Sequence, residues 1–156
     1  MTNFAEITEA LAAKWSDVQA LTDNVPAGNI IAYQDIFPVA SSVSHAIRVM
    51  ARLGILVCYM GQEPQGGYER LGHRLKAIIR MGTAGTTDDS KDQGYAPIIT
   101  AMLSGVGKND PESLPMQYAT IHPDCDPMTA PSWQRLTDAD GIDYFEFNTI
   151  LVERTT

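Results

Sequence analysis

The sequence predicts an α+β fold: a mostly antiparallel sheet with an N-terminal amphipathic helix and a second helix packed on it. Three observations carry this. Apolar residues near the N-terminus recur at three- and four-residue spacing. Residues 70–80 alternate with period two. The elements run helix, three strands, helix, three strands, without the β-α-β alternation that builds parallel sheets. The 156 residues fit a single domain spanning 1–156, with long loops at 82–94 and 108–132.

The first helix is expected over Asn3 to Thr22, where Phe4, Ile7, Leu11, Trp15 and Val18 share one face. Thr2 or Asn3 caps it, with Glu6 in the first turn. Asp23 to Asn29 contains Pro26 and Gly28 and turns the chain. Ile30 to Tyr33 is a short strand. Residues 36–50 fit two periods. Val39, Val43, Ile47 and Met50 suit a helical face, and Ile47, Val49 and Ala51 suit a strand face; an irregular or short helical connection is the reading taken.

Arg52 to Met60 reads as a buried strand through Ile55, Leu56, Val57 and Cys58. Gln62 to Tyr68, with Pro64, Gly66 and Gly67, is a turn. Arg70 to Arg80 is a long strand and pairs with it as a hairpin. Leu71, His73, Leu75, Ala77, Ile79 and Met81 face one way; Gly72, Arg74, Lys76 and Arg80 face the other. His73 on the apolar side is expected to be a hydrogen-bonded core histidine.

Gly82 to Gly94 is polar and reads as a loop, long enough to suggest mobility or a role. Tyr95 to Leu103 is a helix with Pro97 in its first turn and a buried stripe of Ile98, Ile99, Met102, Leu103 and Val106. Met116 to Ile121 reads as a strand. His122 to Ser132 holds Pro123, Pro127 and Pro131 and is expected to be irregular. Trp133 to Leu136 and Ile142 to Arg154 are the last strands, joined by the turn Asp138-Ala139-Asp140-Gly141.

Composition narrows the function. Apolar residues are 44% and charged residues 19%, ordinary globular usage. The net charge of −8 argues against conventional nucleic-acid binding, which needs clustered Lys and Arg. The apolar runs are too short to span a bilayer, and the N-terminus lacks the basic region of a signal peptide. Synthesis in the cytosol is expected. Cys58 and Cys125 form no C-x-x-C motif and are expected to be reduced thiols.

No P-loop, dinucleotide fingerprint, H-E-x-x-H or G-x-S-x-G occurs in the chain. The glycines at 82–85 and 105–107 do not open helices as phosphate cradles do. The segment His122-Pro123-Asp124-Cys125-Asp126-Pro127 carries the donor types of a metal site. Consecutive donors cannot all point inward, however, and no second cluster completes the set. It reads as a polar loop in which Asp124 and Asp126 accept backbone N–H bonds. A small metal-binding module or enzyme using His122, Asp124 and Cys125 is the alternative. Neither a cofactor nor a catalytic residue is expected.

Two segments suggest contact surfaces. Asp88, Asp89, Lys91 and Asp92 lie in an acidic stretch that is either plainly solvated or orders on a partner. Tyr144, Phe145 and Phe147 place aromatic residues on both faces of one strand. Such a strand is either central in a covered sheet or pressed against another subunit.

The chain resembles the tail-terminator (tail completion, head–tail joining) proteins of long-tailed bacteriophages. The resemblance runs over most of its length. It rests on the N-terminal helix, the hairpin through GILVCYMG and RLGHRLKAIIRMG, the polar stretch GTAGTTDDSKDQG before the helix YAPIITAMLSGV, and the closing hairpin WQRLTDADGIDYFEFNTILVERT. Residues 36–50 and 108–132 depart from the pattern. The resemblance implies a virion structural protein without catalytic residues, located in the tail or neck and made in the host cytoplasm. It implies a homo-oligomeric, commonly hexameric ring that caps the tail tube. The implied partners are the tail tube protein and a neck or head-completion protein, with no membrane. DNA would pass through the lumen without specific binding, and an acidic surface suits such a conduit. Another neck or minor tail protein is the neighbouring possibility.

Overall fold

Asn3 turns its side chain onto the backbone at the start of the chain's first helix. Its Oδ1 accepts from the Ala5 N–H at 2.8 Å, which satisfies one of the donors a helix start leaves unpaired. In this computed structural model residues 3–25, 27–33, 54–64, 70–80, 88–104, 116, 118–137 and 143–154 are described. Residues 36–50, the turn at 65–68, the loop at 82–87, the glycines at 82–85 and 105–107 and the turn at 138–141 lie outside them.

The fold is α+β. Helix α1 spans Phe4–Ser16 and α2 spans Gln19–Thr22. A 3-10 turn at Ala27–Asn29 leads into β1, Ile30–Tyr33. Strands β2, Gly54–Pro64, and β3, Leu71–Arg80, follow. Helix α3 is Asp88–Ser104. Strands β4, Thr129–Thr137, and β5, Asp143–Glu153, close the order. The five strands form one sheet, β1-β2-β3-β5-β4. Every pair is antiparallel except β1 with β2.

The helices cover one face. In register, Ile55, Val57, Leu75, Ala77, Ile79, Phe145, Phe147 and Leu151 point toward them. Ile7, Leu11 and Trp15 of α1 and Tyr95, Ile98 and Met102 of α3 complete this core. Trp15 is fully buried. It meets the Phe147 ring edge-on at 5.6 Å, and its indole N–H donates to the Met102 carbonyl at 3.0 Å. One residue therefore ties α1 to both α3 and β5. On the opposite face Leu56, Cys58, Ile78 and Tyr144 form a smaller apolar cluster.

Five expectations need correction. The first helix does not run unbroken to Thr22. Val18 takes an extended conformation and is buried there, and the change of direction brings Leu21 and Val25 into the core. The turn expected from Gln62 begins later, because β2 continues to Pro64. The polar stretch before Tyr95 is helical from Asp88. Acidic residues favour a helix start, and this placement puts Pro97 in the helix interior rather than its first turn. Met116 to Ile121 is no strand. Met116, Ala119 and Ile121 are buried from an irregular path that begins with the Met116 N–H bonded to the Leu103 carbonyl at 3.1 Å. Strand β4 begins inside the proline segment, at Thr129. An edge strand with a register shift between Thr129 and Ser132 tolerates Pro131.

Strand β2 carries a bulge between Tyr59 and Gly61. The inserted residue reverses the facing of the strand beyond it, so Glu63 joins Arg74 on the far face, 3.9 Å away. Gly61 sits at φ 132, a backbone region that side chains rarely adopt. A Cβ there would also lie 3.2 Å from Arg74 Nη2. Gly61→Ala is expected to destabilise by about 1–3 kcal/mol. Urea unfolding measures this; a neutral effect would mean that the bulge relaxes freely.

Candidate functional site

A buried histidine and a buried glutamate meet at one end of the sheet, where β2, β3 and β5 run side by side. Tyr59 on β2 is opposite Leu75, and Glu153 on β5 is opposite Leu71. His73 lies diagonally between them on the same face. The Tyr59 hydroxyl is 2.6 Å from His73 Nδ1, and His73 Nε2 is 2.8 Å from Glu153 Oε2. His73 is completely buried. Both ring nitrogens are partnered, as the apolar alternation of β3 suggested. Phe4 of α1 stacks on the Tyr59 ring at 4.4 Å, 15° from parallel.

Protonation follows from these contacts. Burial pushes the Tyr59 phenol up to about 12; a Gln62 hydrogen bond pulls back and the Glu153 carboxylate pushes further. A carboxylate only accepts, so with one proton on the ring that proton sits on Nε2 and is donated to Glu153, and Nδ1 accepts from the Tyr59 hydroxyl.

Beyond this relay lies the His122–Pro127 segment. It folds back on the end of β5. The Cys125 N–H donates to the His122 carbonyl at 3.1 Å, and the Asp126 N–H to the Val152 carbonyl at 2.8 Å. The Arg154 N–H donates to the Asp124 carbonyl at 2.8 Å, and Cys125 bridges Glu153. The Arg154 guanidinium donates to the Pro123 carbonyl and lies 3.6 Å from Asp126, whose other oxygen is 3.3 Å from Arg70. The segment is a clasp over the end of the sheet. Its detail differs from expectation, because the Asp126 carboxylate takes two arginines and the Asp124 N–H bonds to His122 Nδ1 at 3.1 Å.

The donors do not converge. Asp124 points to solvent, His122 is half-buried and Cys125 is buried in the apolar core. Among the described residues no three His, Cys, Asp or Glu side chains gather in a metal-binding group. Cys58 and Cys125 are free thiols.

The candidate contact residues separate. Asp88, Asp89, Lys91 and Asp92 form the opening turns of α3 rather than a loop tip. Phe145 lies under Tyr95 at 4.1 Å, and Phe147 lies between Trp15 and Trp133. Tyr144 is buried on the far face with Leu56, Cys58 and Ile78. Tyr144, Phe145 and Phe147 are all buried within the chain itself, on a strand between β3 and β4. Sequence reading passed over Tyr59, Glu153 and Arg154. The available signal was an acidic residue directly after the apolar run Ile150-Leu151-Val152.

Alkaline pH should loosen this fold. Burial pushes Cys58 up to about 12, against the nearby Lys76 charge, and Cys125 up to about 11, with Glu153 adding to burial. Ordinary values are 9.0 for a thiol and 10.0 for a phenol. The folded state holds these protons more tightly than the unfolded state. Their contribution is whole below pH 9 and is lost as pH rises through 11 to 12. Denaturation midpoints should hold up to about pH 9 and fall from there to pH 11, less steeply in Cys58→Ala/Cys125→Ala. An unchanged midpoint would refute the assignment.

No protein-family model matches the chain, and no curated protein shows significant similarity to it.

Proposed function

We propose that the protein is a virion structural subunit of the tail-terminator kind, which assembles into a ring on the end of a phage tail tube and joins it to the neck. The observation that favours assembly is strand β4. Among the described residues it ends the sheet; it presents Ser132, Trp133 and Gln134 to solvent and carries Arg135 as its one charged residue. A long edge strand with so little charge invites pairing with another chain. A mostly antiparallel sheet covered by helices on one face also suits a ring subunit.

Native mass spectrometry tests this, first on the protein alone at rising concentration, then with assembled tail tubes that lack a terminator. A metal-free ring, six-fold for the resemblance noted above, is the expected species. A chain that stays monomeric in both settings overturns the reading, and one metal ion per chain would favour a metal-binding module instead.

A further inference from the structure

We infer that copies of this chain join edge to edge, with β4 of one subunit laid antiparallel against β1 of the next, so that the sheet continues across each interface. The inference rests on the ring reading and names the surface that would close it.

Strand polarity comes first. Strands β1 and β2 run together, β3 opposes them, β5 opposes β3 and β4 opposes β5. Strands β1 and β4 therefore run in opposite senses. Among the described residues neither outer edge carries a pairing strand. Subunits repeated about a ring axis keep their strand directions, so the next β1 meets β4 antiparallel, the more stable ladder.

Length agrees. Strand β1 has four residues. Pro131 has no N–H to give, so the usable edge of β4 begins at Ser132. From Ser132 the strand runs on to Thr137, long enough to take all of β1, and this stretch contains Trp133 and Gln134.

The side chains agree as well. Ile31 on β1 and Trp133 on β4 are each 46% exposed, unusual for large apolar residues, and they lie on opposite faces. Trp133 is on the helix side, stacked on Phe147 at 6.1 Å and 7° from parallel. The incoming Ile30 and Ala32 would lie beside it, beneath the incoming α1. Ile31 is on the far side, where Gln134 and the half-buried Leu136 would receive it. One pairing event covers both exposed residues. Two β4 edges meeting about a two-fold axis would cover only Trp133, leave Ile31 in water and close a dimer.

Cysteine cross-linking tests this. Ile31→Cys and Gln134→Cys lie on the same face of the continued sheet, within disulfide reach when opposite one another. The native Cys58 and Cys125 are buried and stay silent. Under mild oxidation in the assembled state, a mixture of the two single variants should cross-link while neither does alone. In parallel, Gln134→Lys places a charge on the exposed edge. It should raise the concentration for half-assembly by about tenfold with unchanged thermal unfolding of the subunit. Self-cross-linking of Gln134→Cys would overturn the β4–β1 pairing in favour of two β4 edges. Rings without cross-links, or rings indifferent to Gln134→Lys, would overturn the edge interface and leave the ring standing. Monomers in every setting, with tail tubes included, would remove both.

Discussion

Trp15→Ala should cost about 3–5 kcal/mol of folding stability, against a total of roughly 5–15 kcal/mol for a domain of ordinary stability. The indole is fully buried and makes two different kinds of contact. Its ring meets Phe147 edge-on, and its N–H reaches the Met102 carbonyl. Alanine would remove the apolar area and leave a cavity between three elements that cannot all collapse toward it. Phe147 would keep its stack with Trp133 on one side and face the void on the other. Trp15→Phe separates the contributions, since it keeps most of the ring and loses the N–H. It should cost about 1–2 kcal/mol. Urea midpoints with unchanged slopes give both values. If alanine costs less than about 1 kcal/mol, α1 is not anchored through Trp15, and the docking of helices on this sheet needs another account.

The N-terminal spacing announced this anchor, because Ile7, Leu11 and Trp15 fall on one helical face and that face is buried. The period-two pattern of β3 likewise announced which residues face the helices, and with them the burial of His73. Strong periodicity is legible because burial selects one side of an element over its whole length. Other features obey tertiary context. Nothing local separates the polar residues before Tyr95 from a loop, yet α3 begins at Asp88. The alternating burial of Ala119 and Ile121 mimics a strand although, among the described residues, no strand pairs with them. The parallel pairing of β1 with β2 is a long-range choice that four residues cannot encode.

The relay was half legible for the same reason. His73 is conspicuous, since a histidine on an apolar face demands partners. Its partners come from two other strands, fixed by registers that sequence alone does not give. The clasp over His122–Pro127 shows the opposite case. Its donor-rich composition pointed to chemistry, and its geometry consumes the polar groups in holding the end of β5.

His73→Leu is expected to be as damaging as Trp15→Ala, at about 3–5 kcal/mol, for an electrostatic reason. Leucine fits the apolar surroundings but gives nothing to Glu153, which would keep a nearly buried carboxylate without its imidazole donor. The Tyr59 hydroxyl would lose its acceptor as well. Removing the charge instead should cost less. Glu153→Gln retains an acceptor for the Nε2 proton and forfeits the charge assistance, for about 1–2 kcal/mol. The informative variant is the double, His73→Leu/Glu153→Gln. It should lose less than the sum of the singles, by about 0.5–3 kcal/mol, because the second change removes a nearly buried carboxylate that has lost its imidazole donor. Strict additivity would mean that Glu153 finds enough solvent or other donors to stand alone. The relay would then be a consequence of β-strand register rather than a cause of it.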